Sequence, residues 1–424
     1  MKFKIISLGC KVNSYECAAI RSHFLSMGFE EAKKGENVDV ALINTCSVTA
    51  TADQKSRQQI RKLKKMYPNA IVVVMGCYSQ KQHNFIKDNI QPDIIVGTSN
   101  RHLIPELVEN ALKNGEKIDL TQEDTRAFKY EELGVIAFSE NVRAYLKIQD
   151  GCNNFCSYCI IPFTRGVSRS RQKERILDEA KELVKAGYKE IVLTGIHVGG
   201  YGTDLNDYTF ADLVEELSDI PGLYRLRISS IEESEISDKL IELIKNKSNI
   251  AKHLHIPLQS GSDTVLKRMN RKYTCEEFLS KLKKIRQNIP DIALTTDVIV
   301  GFPQESEQEA NETKEFIKAC DFNMLHVFPF SSREGTVAHL MKGQVDPTVK
   351  NNRVQELLSL SKELWDKYTS SFENTETEIL IEEFDEENGV NKGHNSNFIH
   401  LNFKNNENLV GKIVKITIKK CDVI

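Results

Sequence analysis

Apolar runs that alternate with helical patterns constrain the fold of this chain more than any other feature. In the first 115 residues, runs at 3–8, 38–44, 71–76 and 93–96 alternate with helical periodicity at 13–27, 53–66, 80–89 and 101–114. Buried runs of this length, each followed by a helix, favour a parallel sheet with helices on its faces. Residues 1–115 are therefore predicted to form an α/β domain built on a parallel sheet.

A second βα series follows a polar stretch, residues 116–142, that we interpret as a linker. Its candidate strands occupy 144–148, 190–194, 225–229, 253–257, 293–300 and 324–329. Six strand–helix units are too few for an eight-fold barrel, so residues 143–348 are predicted to form an open, partial barrel. After a connecting helix predicted at 349–372, short β-type runs at 377–381, 397–401 and 412–418 predict a small antiparallel barrel or sandwich in residues 373–424.

Composition predicts a cytoplasmic protein without disulfides. Of the 424 residues, 40% are apolar and 28% charged, and the net charge is −3, so binding to a polyanion needs a local basic patch. We find no apolar run long enough for a membrane span and expect no signal peptide. In a reducing compartment the ten cysteines indicate metal binding, catalysis or burial. We interpret Cys17, Cys275, Cys320 and Cys421 as ordinary buried or surface residues.

Three cysteines, Cys152, Cys156 and Cys159, follow a predicted strand within eight residues. Such a loop lies at the carboxyl end of the sheet, where α/β folds place their chemistry. Three thiolates leave one iron of a [4Fe–4S] cluster free to bind the amino and carboxylate groups of another molecule. Structural zinc sites need four ligands, and neither a fourth Cys nor a His lies nearby, so zinc is the weaker interpretation.

A second trio, Cys10, Cys46 and Cys77, is dispersed in sequence but alike in context, because each cysteine comes just after an apolar run. The carboxyl ends of parallel strands meet at one edge of a sheet, where such sheets bind ligands. Gly9 and Gly76 suit a backbone that turns sharply beside a bulky group. The alternative is three unrelated cysteines at strand ends. The repeated placement favours a shared three-thiolate cluster with one open iron.

The spacing Cys-x3-Cys-x2-Cys resembles that of the radical S-adenosylmethionine enzymes, and two such trios in this order resemble the methylthiotransferase family. The likeness includes Gly9-Cys10-Lys11-Val12-Asn13, Asn44-Thr45-Cys46, Gly76-Cys77, the segment 149–159, Ile161-Pro162-Phe163-Thr164-Arg165-Gly166 and, in a module that resembles TRAM, the segment 393–398. It implies an α/β fold with an N-terminal parallel-sheet domain of Rossmann or flavodoxin type, a central partial (βα)6 radical-SAM barrel and a small C-terminal β-barrel.

The resemblance also implies the cofactors: two [4Fe–4S] clusters and two molecules of S-adenosylmethionine. One molecule methylates a sulfide held at the Cys10, Cys46 and Cys77 cluster. The other yields the radical that removes hydrogen from C2 of an adenine, which then receives the methylthio group. Cys77 and the 152–159 trio are thus the expected catalytic residues. The residues expected to bind the cofactor are Tyr158, Thr194, Gly195, Gln259 and Asp297, although Gln259 and Asp297 could instead serve structural hydrogen bonds.

Gly9-Cys10-Lys11-Val12-Asn13 and the segment 149–156 most resemble the branch that acts on N6-threonylcarbamoyladenosine at position 37 of tRNA, next to the anticodon. The alternatives are isopentenyladenosine in tRNA, an aspartate of a ribosomal protein, or a non-enzymatic iron–sulfur or zinc RNA-binding protein. The expected partners are tRNA, a low-potential electron donor such as flavodoxin or ferredoxin, and a sulfur donor, with no membrane. Basic residues suggested for RNA phosphates are Arg57, Arg61, Arg165, Arg169, Arg171 and Lys412. A solvated helix face is the alternative for the group around Arg57.

Overall fold

A computed structural model describes residues 1–134 and 142–423 of the chain. Its first domain is built on a parallel sheet of six strands in the order β2-β1-β3-β4-β5-β6. The strands are β1 (Lys2–Ser7), β2 (Glu30–Glu31), β3 (Val40–Thr45), β4 (Ile71–Gly76), β5 (Ile94–Ile95) and β6 (Ile118–Asp119). The helices are α1 (Lys11–Ser26), α2 (Ala50–Met66), α3 (Cys77–Asn89) and α4 (Ile104–Asn114).

The outer strands β2 and β6 were not predicted, because two residues are too few to give an alternation pattern. The described part of the polar stretch 116–142 is not a simple linker. It supplies β6, and further along Phe128 and Leu133 are buried while Glu131 pairs with the buried Arg101. Its polar residues therefore make specific contacts with the first domain. The rest of the predicted linker, residues 135–141, lies outside the described residues.

Six parallel strands form the partial barrel that the sequence predicts. Two three-stranded sheets, in the orders β11-β10-β7 and β12-β13-β14, meet through single bridges between β11 and the β12 region. The strands are β7 (Arg143–Lys147), β8 (Gln149–Asp150), β9 (Arg169–Ser170), β10 (Glu190–Thr194), β11 (Arg225–Ile228), β12 (His253–His255), β13 (Ala293–Val300) and β14 (Met324–Pro329), of which β8 and β9 form a separate antiparallel pair.

Helices follow most of these strands along the chain. They are α5 (Ile161–Arg165), α6 (Lys173–Lys185), α7 (Phe210–Ser218), α8 (Asp238–Asn246), α9 (Asp263–Arg268), α10 (Cys275–Asn288), α11 (Glu307–Cys320), α12 (Val337–Leu340) and α13 (Pro347–Ser370). The apolar faces of α6 to α11 and α13 form one continuous core with the strands, whereas α5 contacts α3 of the first domain. None of the helices in the described part of the chain combines the length and apolar character needed to cross a bilayer.

The first domain contacts both edge strands of the open barrel. On one side, α1 packs along β7, with Tyr15 against Tyr145 in one apolar cluster. On the other side, the backbone N–H of Ala50 donates to Ser331 Oγ at 3.2 Å, and Asp53 pairs with Arg333 at 3.0 Å, just after β14. The first domain therefore lies across the opening of the barrel.

The C-terminal module is a four-stranded antiparallel sheet in the order β17-β16-β15-β18. Its strands are β15 (Glu376–Asp385), β16 (Val390–His394), β17 (His400–Lys404) and β18 (Ile413–Thr417). Strand β16 was not predicted, because its sequence, VNKGH, lacks the β-branched and aromatic alternation of a typical strand. The predicted strand at 397–401 is mostly a turn, and only its last two residues belong to β17.

Candidate active site

The trio Cys10, Cys46 and Cys77 lies at one edge of the first sheet. Strands β1, β3 and β4 are parallel neighbours. Cys46 and Cys77 come directly after β3 and β4, and Cys10 follows β1 by three residues. The contact is close, since a Cβ placed on Gly9 would lie 2.9 Å from the Cys46 Sγ. Gly9 also has a φ of +107°, which favours glycine.

Burial and one cation set the electrostatics of this trio. Burial raises the pKa of the Cys46 thiol and raises that of Cys77 to about 11, while the nearby Arg165 acts in the opposite sense on both. The Arg165 Nε–H donates to the Cys77 Sγ at 3.2 Å. A cation at this distance favours the thiolate, the form that binds iron.

The second trio occupies the loop between β8 and α5. Within it the Cys159 N–H donates to the Cys156 carbonyl at 2.9 Å, and burial raises the pKa of the Cys159 thiol to about 12. Contacts with the turn after α9 hold the loop: the Ser157 N–H donates to the Met269 carbonyl at 3.0 Å, and Asn270 Nδ2 donates to the carbonyl of Phe155 at 2.9 Å. The trio is therefore held on a well-anchored loop.

Two cations contact this second trio. Arg271 Nη1 donates to the Cys156 Sγ at 3.4 Å. Burial lowers the pKa of His197, but its hydrogen bonds with Cys152 and with Glu235 outweigh that effect and raise it to about 10. Neither residue was assigned this role from the sequence, because Arg271 lies in a basic run and His197 in a glycine-rich turn. Together with Arg165, they give each trio a cationic hydrogen-bond partner.

The donor sets fit iron–sulfur cubes better than single metal ions. Each trio offers only thiols, the ligands that iron–sulfur clusters require. Among the described residues, no three Cys, His, Asp or Glu side chains converge closely enough to hold one metal ion. Ligands of a four-iron cube must instead stand apart, each facing its own corner. Three thiols suit such a cube, because they leave one iron without a protein ligand.

The predicted cofactor residues are distributed over the barrel strands and the loops that follow them. Thr194 is the buried last residue of β10, and a Cβ on the next residue, Gly195, would lie 3.1 Å from the Gln149 carbonyl. Gln259 follows β12 with a φ of +64°, and its N–H donates to the Asp297 carbonyl at 2.8 Å. Thr194 and Gly195 thus lie at the end of β10, whereas Gln259 and Asp297 pair across β12 and β13, with β11 between the two groups.

Two of these residues also have local partners. The Asp297 Oδ1 lies 3.2 Å from His255 Nε2, so its carboxylate faces another polar side chain. Tyr158 is half-buried and packs edge-on against Phe302, with ring centroids 6.5 Å apart. Burial and the neighbouring Cys156 raise the Tyr158 pKa well above its usual range, so the phenol stays neutral. The cofactor assignments themselves remain predictions.

Burial contradicts the RNA-binding role that was predicted for three arginines. Arg165, Arg169 and Arg171 are buried and lie against carboxylates of the protein. Arg165 and Arg169 pair with Asp150, and Arg171 pairs with Glu179. A guanidinium enclosed in this way cannot reach a phosphate backbone. The basic run after the cysteine loop gave no sign that its side chains point inward.

The other residues suggested for RNA remain on the surface. Arg61 and Lys412 are exposed, and Arg57 is half-buried with its guanidinium 5.8 Å from the centre of the Tyr78 ring. Arg57 borders a cavity of about 400 Å³ between α2, α3 and the loop after β14, which Lys81 and Arg333 also line. Their role in RNA binding stays a prediction.

Comparisons with known proteins agree with this arrangement. The profile of the radical SAM superfamily matches residues 146–317, and that of "Uncharacterized protein family UPF0004" matches residues 2–97. The chain is 48% identical over 418 residues to the threonylcarbamoyladenosine tRNA methylthiotransferase MtaB of Bacillus subtilis, covering 98% of this chain and 93% of that protein. It is 38% identical over 426 residues to a tRNA-2-methylthio-N(6)-dimethylallyladenosine synthase of Thermoanaerobacter pseudethanolicus, covering 98% and 90%.

Solved structures resemble the chain at the level of the fold. The radical S-adenosylmethionine methyltransferase TsrM from Kitasatospora setae superposes with a TM-score of 0.59 at 13% identity, covering 77% of this chain and 72% of that one. The cobalamin-dependent S-adenosylmethionine radical enzyme OxsB gives a TM-score of 0.51 at 12% identity, covering 86% and 56%. At these identities the likeness concerns the fold, and it confirms the predicted fold class.

Proposed function

We propose a substrate and a division of labour from one premise: the chain belongs to the radical S-adenosylmethionine methylthiotransferase family. It is accordingly a transferase that uses S-adenosylmethionine and [4Fe–4S] clusters as cofactors. The proposal is that it inserts a methylthio group at C2 of N6-threonylcarbamoyladenosine next to the anticodon of tRNA. The observation that carries it is the presence of two three-thiol sites in one chain, at the sheet edge of one domain and in the barrel loop of the next.

In this proposal each domain has one task. Residues 1–115 hold an auxiliary cluster through Cys10, Cys46 and Cys77, and residues 143–348 hold the radical cluster through Cys152, Cys156 and Cys159. Residues 116–142, which also supply β6, join these two domains, the helical stretch 349–372 leads to the C-terminal module, and residues 373–424 help to hold the RNA. The bound cofactors would supply the radical and the methylated sulfur. A low-potential reductant and a sulfur donor complete the proposed set of partners.

The protein residues orient and shield the reacting groups. Gly9 leaves room for bulk beside Cys46, and Arg165 favours the thiolate of Cys77. His197 and Arg271 place hydrogen-bonding groups beside Cys152 and Cys156, where a cation would favour the thiolates that bind iron. Tyr158, Thr194, Gly195, Gln259 and Asp297 would position S-adenosylmethionine, which keeps the reactive carbon near the target base.

Lys11 supports the threonylcarbamoyl substrate over an isoprenoid one. The residue follows Cys10 and opens α1, and burial lowers the pKa of its ammonium, as do Arg143 of β7 and Arg227 of β11, whereas Glu190 of β10 acts in the opposite sense. No carboxylate of the described residues lies within ion-pair distance of this ammonium. The threonyl part of N6-threonylcarbamoyladenosine carries a carboxylate, whereas a dimethylallyl group carries no charge. A lysine beside Cys10 that forms no ion pair with any described residue suits the charged modification.

Mass spectrometry of tRNA nucleosides tests the proposed substrate. Cells lacking the gene should accumulate N6-threonylcarbamoyladenosine without its methylthio form, and the intact gene, but not a Cys77→Ala copy, should restore that form. Loss of the methylthio group from dimethylallyladenosine instead would favour the substrate of the 38% identical relative. Unchanged tRNA nucleosides would contradict the proposal.

A further inference from the structure

Arg165 connects the two cysteine sites through direct contacts. It is the last residue of α5, the short helix that begins two residues after Cys159, and its side chain is fully buried. Its guanidinium extends from the barrel domain and contacts residues of the first domain. There Nε lies 3.2 Å from the Cys77 Sγ, and Nη2 lies 3.0 Å from Asn13 Oδ1. One side chain thus spans from the radical loop to the auxiliary site.

The other atoms of the guanidinium are fixed by carboxylates. Nη1 donates to Glu16 Oε1 at 2.8 Å and lies 3.3 Å from Asp150 Oδ1, in the strand that leads into the Cys152 loop. These three directions use the planar fork of arginine, which a lysine ammonium cannot reproduce. The contacts of Nη1 and Nη2 therefore fix the orientation of the guanidinium, so that Nε–H points at the Cys77 sulfur.

The ion pairs that connect directly to Arg165 contain one more cation than carboxylate. The described residues of this network include three carboxylates and four cations, namely Glu16, Glu131 and Asp150 with Arg101, Lys147, Arg165 and Arg169. An excess positive charge in the interior is costly unless it is compensated. Cys77, as a thiolate ligand of an iron cluster, would supply an anionic acceptor in direct contact with Arg165. An anionic sulfur on Cys77 would offset the extra cation of these ion pairs.

We propose that Arg165 is a positioning residue of the auxiliary cluster: it donates a hydrogen bond to the Cys77 sulfur and ties that cluster to the radical-cluster loop. This inference rests on the proposed auxiliary site. Hydrogen bonds to cluster sulfurs make reduction easier, so this bond raises the reduction potential of the auxiliary cluster. It also fixes the distance between the sulfur source and the barrel, on which transfer to the substrate carbon depends.

Replacement of Arg165 by lysine tests the proposal, with Arg101→Lys as the matched control. Arg101 is equally buried and pairs with Glu16 and Glu131, but it does not contact Cys77. Both variants are reconstituted anaerobically and compared with the wild type by iron analysis, redox titration and assay. We expect Arg165→Lys to shift the auxiliary potential downward and to lower methylthio transfer at least tenfold, with S-adenosylmethionine cleavage changed less than twofold. Arg101→Lys should leave the potential unchanged.

Two results would overturn the assignment: an unchanged auxiliary potential in Arg165→Lys, or equal shifts in the two variants. Failure of the proposed auxiliary site itself is recognised separately, because the wild type would then hold about four irons per chain instead of about eight. If Arg165→Lys does not fold, a spectroscopic measurement replaces it. In a Cys152→Ala chain labelled with 15N-arginine, electron–nuclear double resonance of the reduced auxiliary cluster should detect a guanidinium nitrogen coupled to the cluster. A spectrum without this coupling would contradict the proposal.

Discussion

The carboxylate of Glu190, the first residue of β10, lies 3.0 Å from Nε2 of His394, the last residue of β16. Arg225 and Arg227 of β11 approach the same carboxylate at 3.1 and 2.9 Å. Burial alone would raise the pKa of Glu190, but Arg227 and His394 hold it well below its usual range. The C-terminal module is therefore fastened to the base of the barrel by a buried, charged contact.

Glu190→Gln should destabilise the protein by about 3–5 kcal/mol, because it leaves two arginines and a histidine buried without their shared anion. Glu383→Gln is the matched control. Glu383 is an exposed carboxylate of the same module that lies 3.8 Å from Lys392, and its loss should cost less than about 1 kcal/mol. Denaturant unfolding of the two variants checks the difference. Equal stabilities would show that the buried contact does not hold the module.

The same interface limits what the sequence could predict about this module. The segment 393–398 contributed to the resemblance to TRAM, and Lys412 of this module was suggested for RNA phosphates. In the structure the Phe398 ring stacks on His253 of β12 at 4.7 Å, and the Arg227 guanidinium lies 5.1 Å from the same ring. These residues face the barrel, because an aromatic ring and a histidine gain more from mutual burial than from exposure. Contact with RNA would have to use another face, such as the one that carries Lys412.

The sequence predicted the parts of the fold that depend on local patterns. Apolar runs gave β1, β3, β4 and the six barrel strands, and the position of cysteines after those runs gave the two trios. It could not predict side chains whose meaning depends on distant partners. Arg165 meets Glu16, which lies 149 residues away, and Arg227 meets Asn395, 168 residues away. Nothing in the local sequence distinguishes such a buried arginine from one that faces RNA.

The two cysteine trios should have separable functions. Cys152→Ala removes a ligand of the proposed radical cluster and should abolish formation of 5′-deoxyadenosine. Cys77→Ala should leave that cleavage largely intact and stop methylthio transfer. Chromatography of the nucleoside products measures both reactions in one incubation. Cys17→Ala serves as the control, because Cys17 packs in the core of the first domain and belongs to neither trio. Full transfer by Cys77→Ala would contradict the division of labour.

Lys11→Gln should weaken the use of the threonylcarbamoyl substrate. A hydrogen bond to a charged group contributes about 1.5–3 kcal/mol, so kcat/KM for tRNA carrying this modification should fall by at least about tenfold. Lys11→Arg keeps the charge and should retain part of the activity. Cleavage of S-adenosylmethionine without tRNA should change little in both variants. Unaltered kcat/KM in Lys11→Gln would remove the lysine from substrate recognition.

Arg61→Ala should lower affinity for tRNA in a salt-dependent way. Each phosphate contact that is lost reduces the slope of log affinity against log salt by about one. Filter binding at several salt concentrations gives this slope. Arg175→Ala is the control, since Arg175 is an exposed arginine on α6 of the barrel. If the two variants bind tRNA alike, α2 is a solvated helix face, the alternative that the sequence left open.

Glu131 should make the stability of the first domain depend on acid. Burial alone would raise its pKa, but Arg101 and hydrogen bonds from His102 lower it to about 2. A carboxyl group with a depressed folded pKa stabilises the protein above its unfolded pKa of about 4.5, and this contribution is lost as the pH falls toward 2. Compared with Glu131→Gln, the cluster-free wild type should therefore lose about 1 kcal/mol more between pH 7 and pH 3.5. Urea unfolding at both pH values measures the difference, and parallel losses would mean that Glu131 titrates normally despite its contact with Arg101.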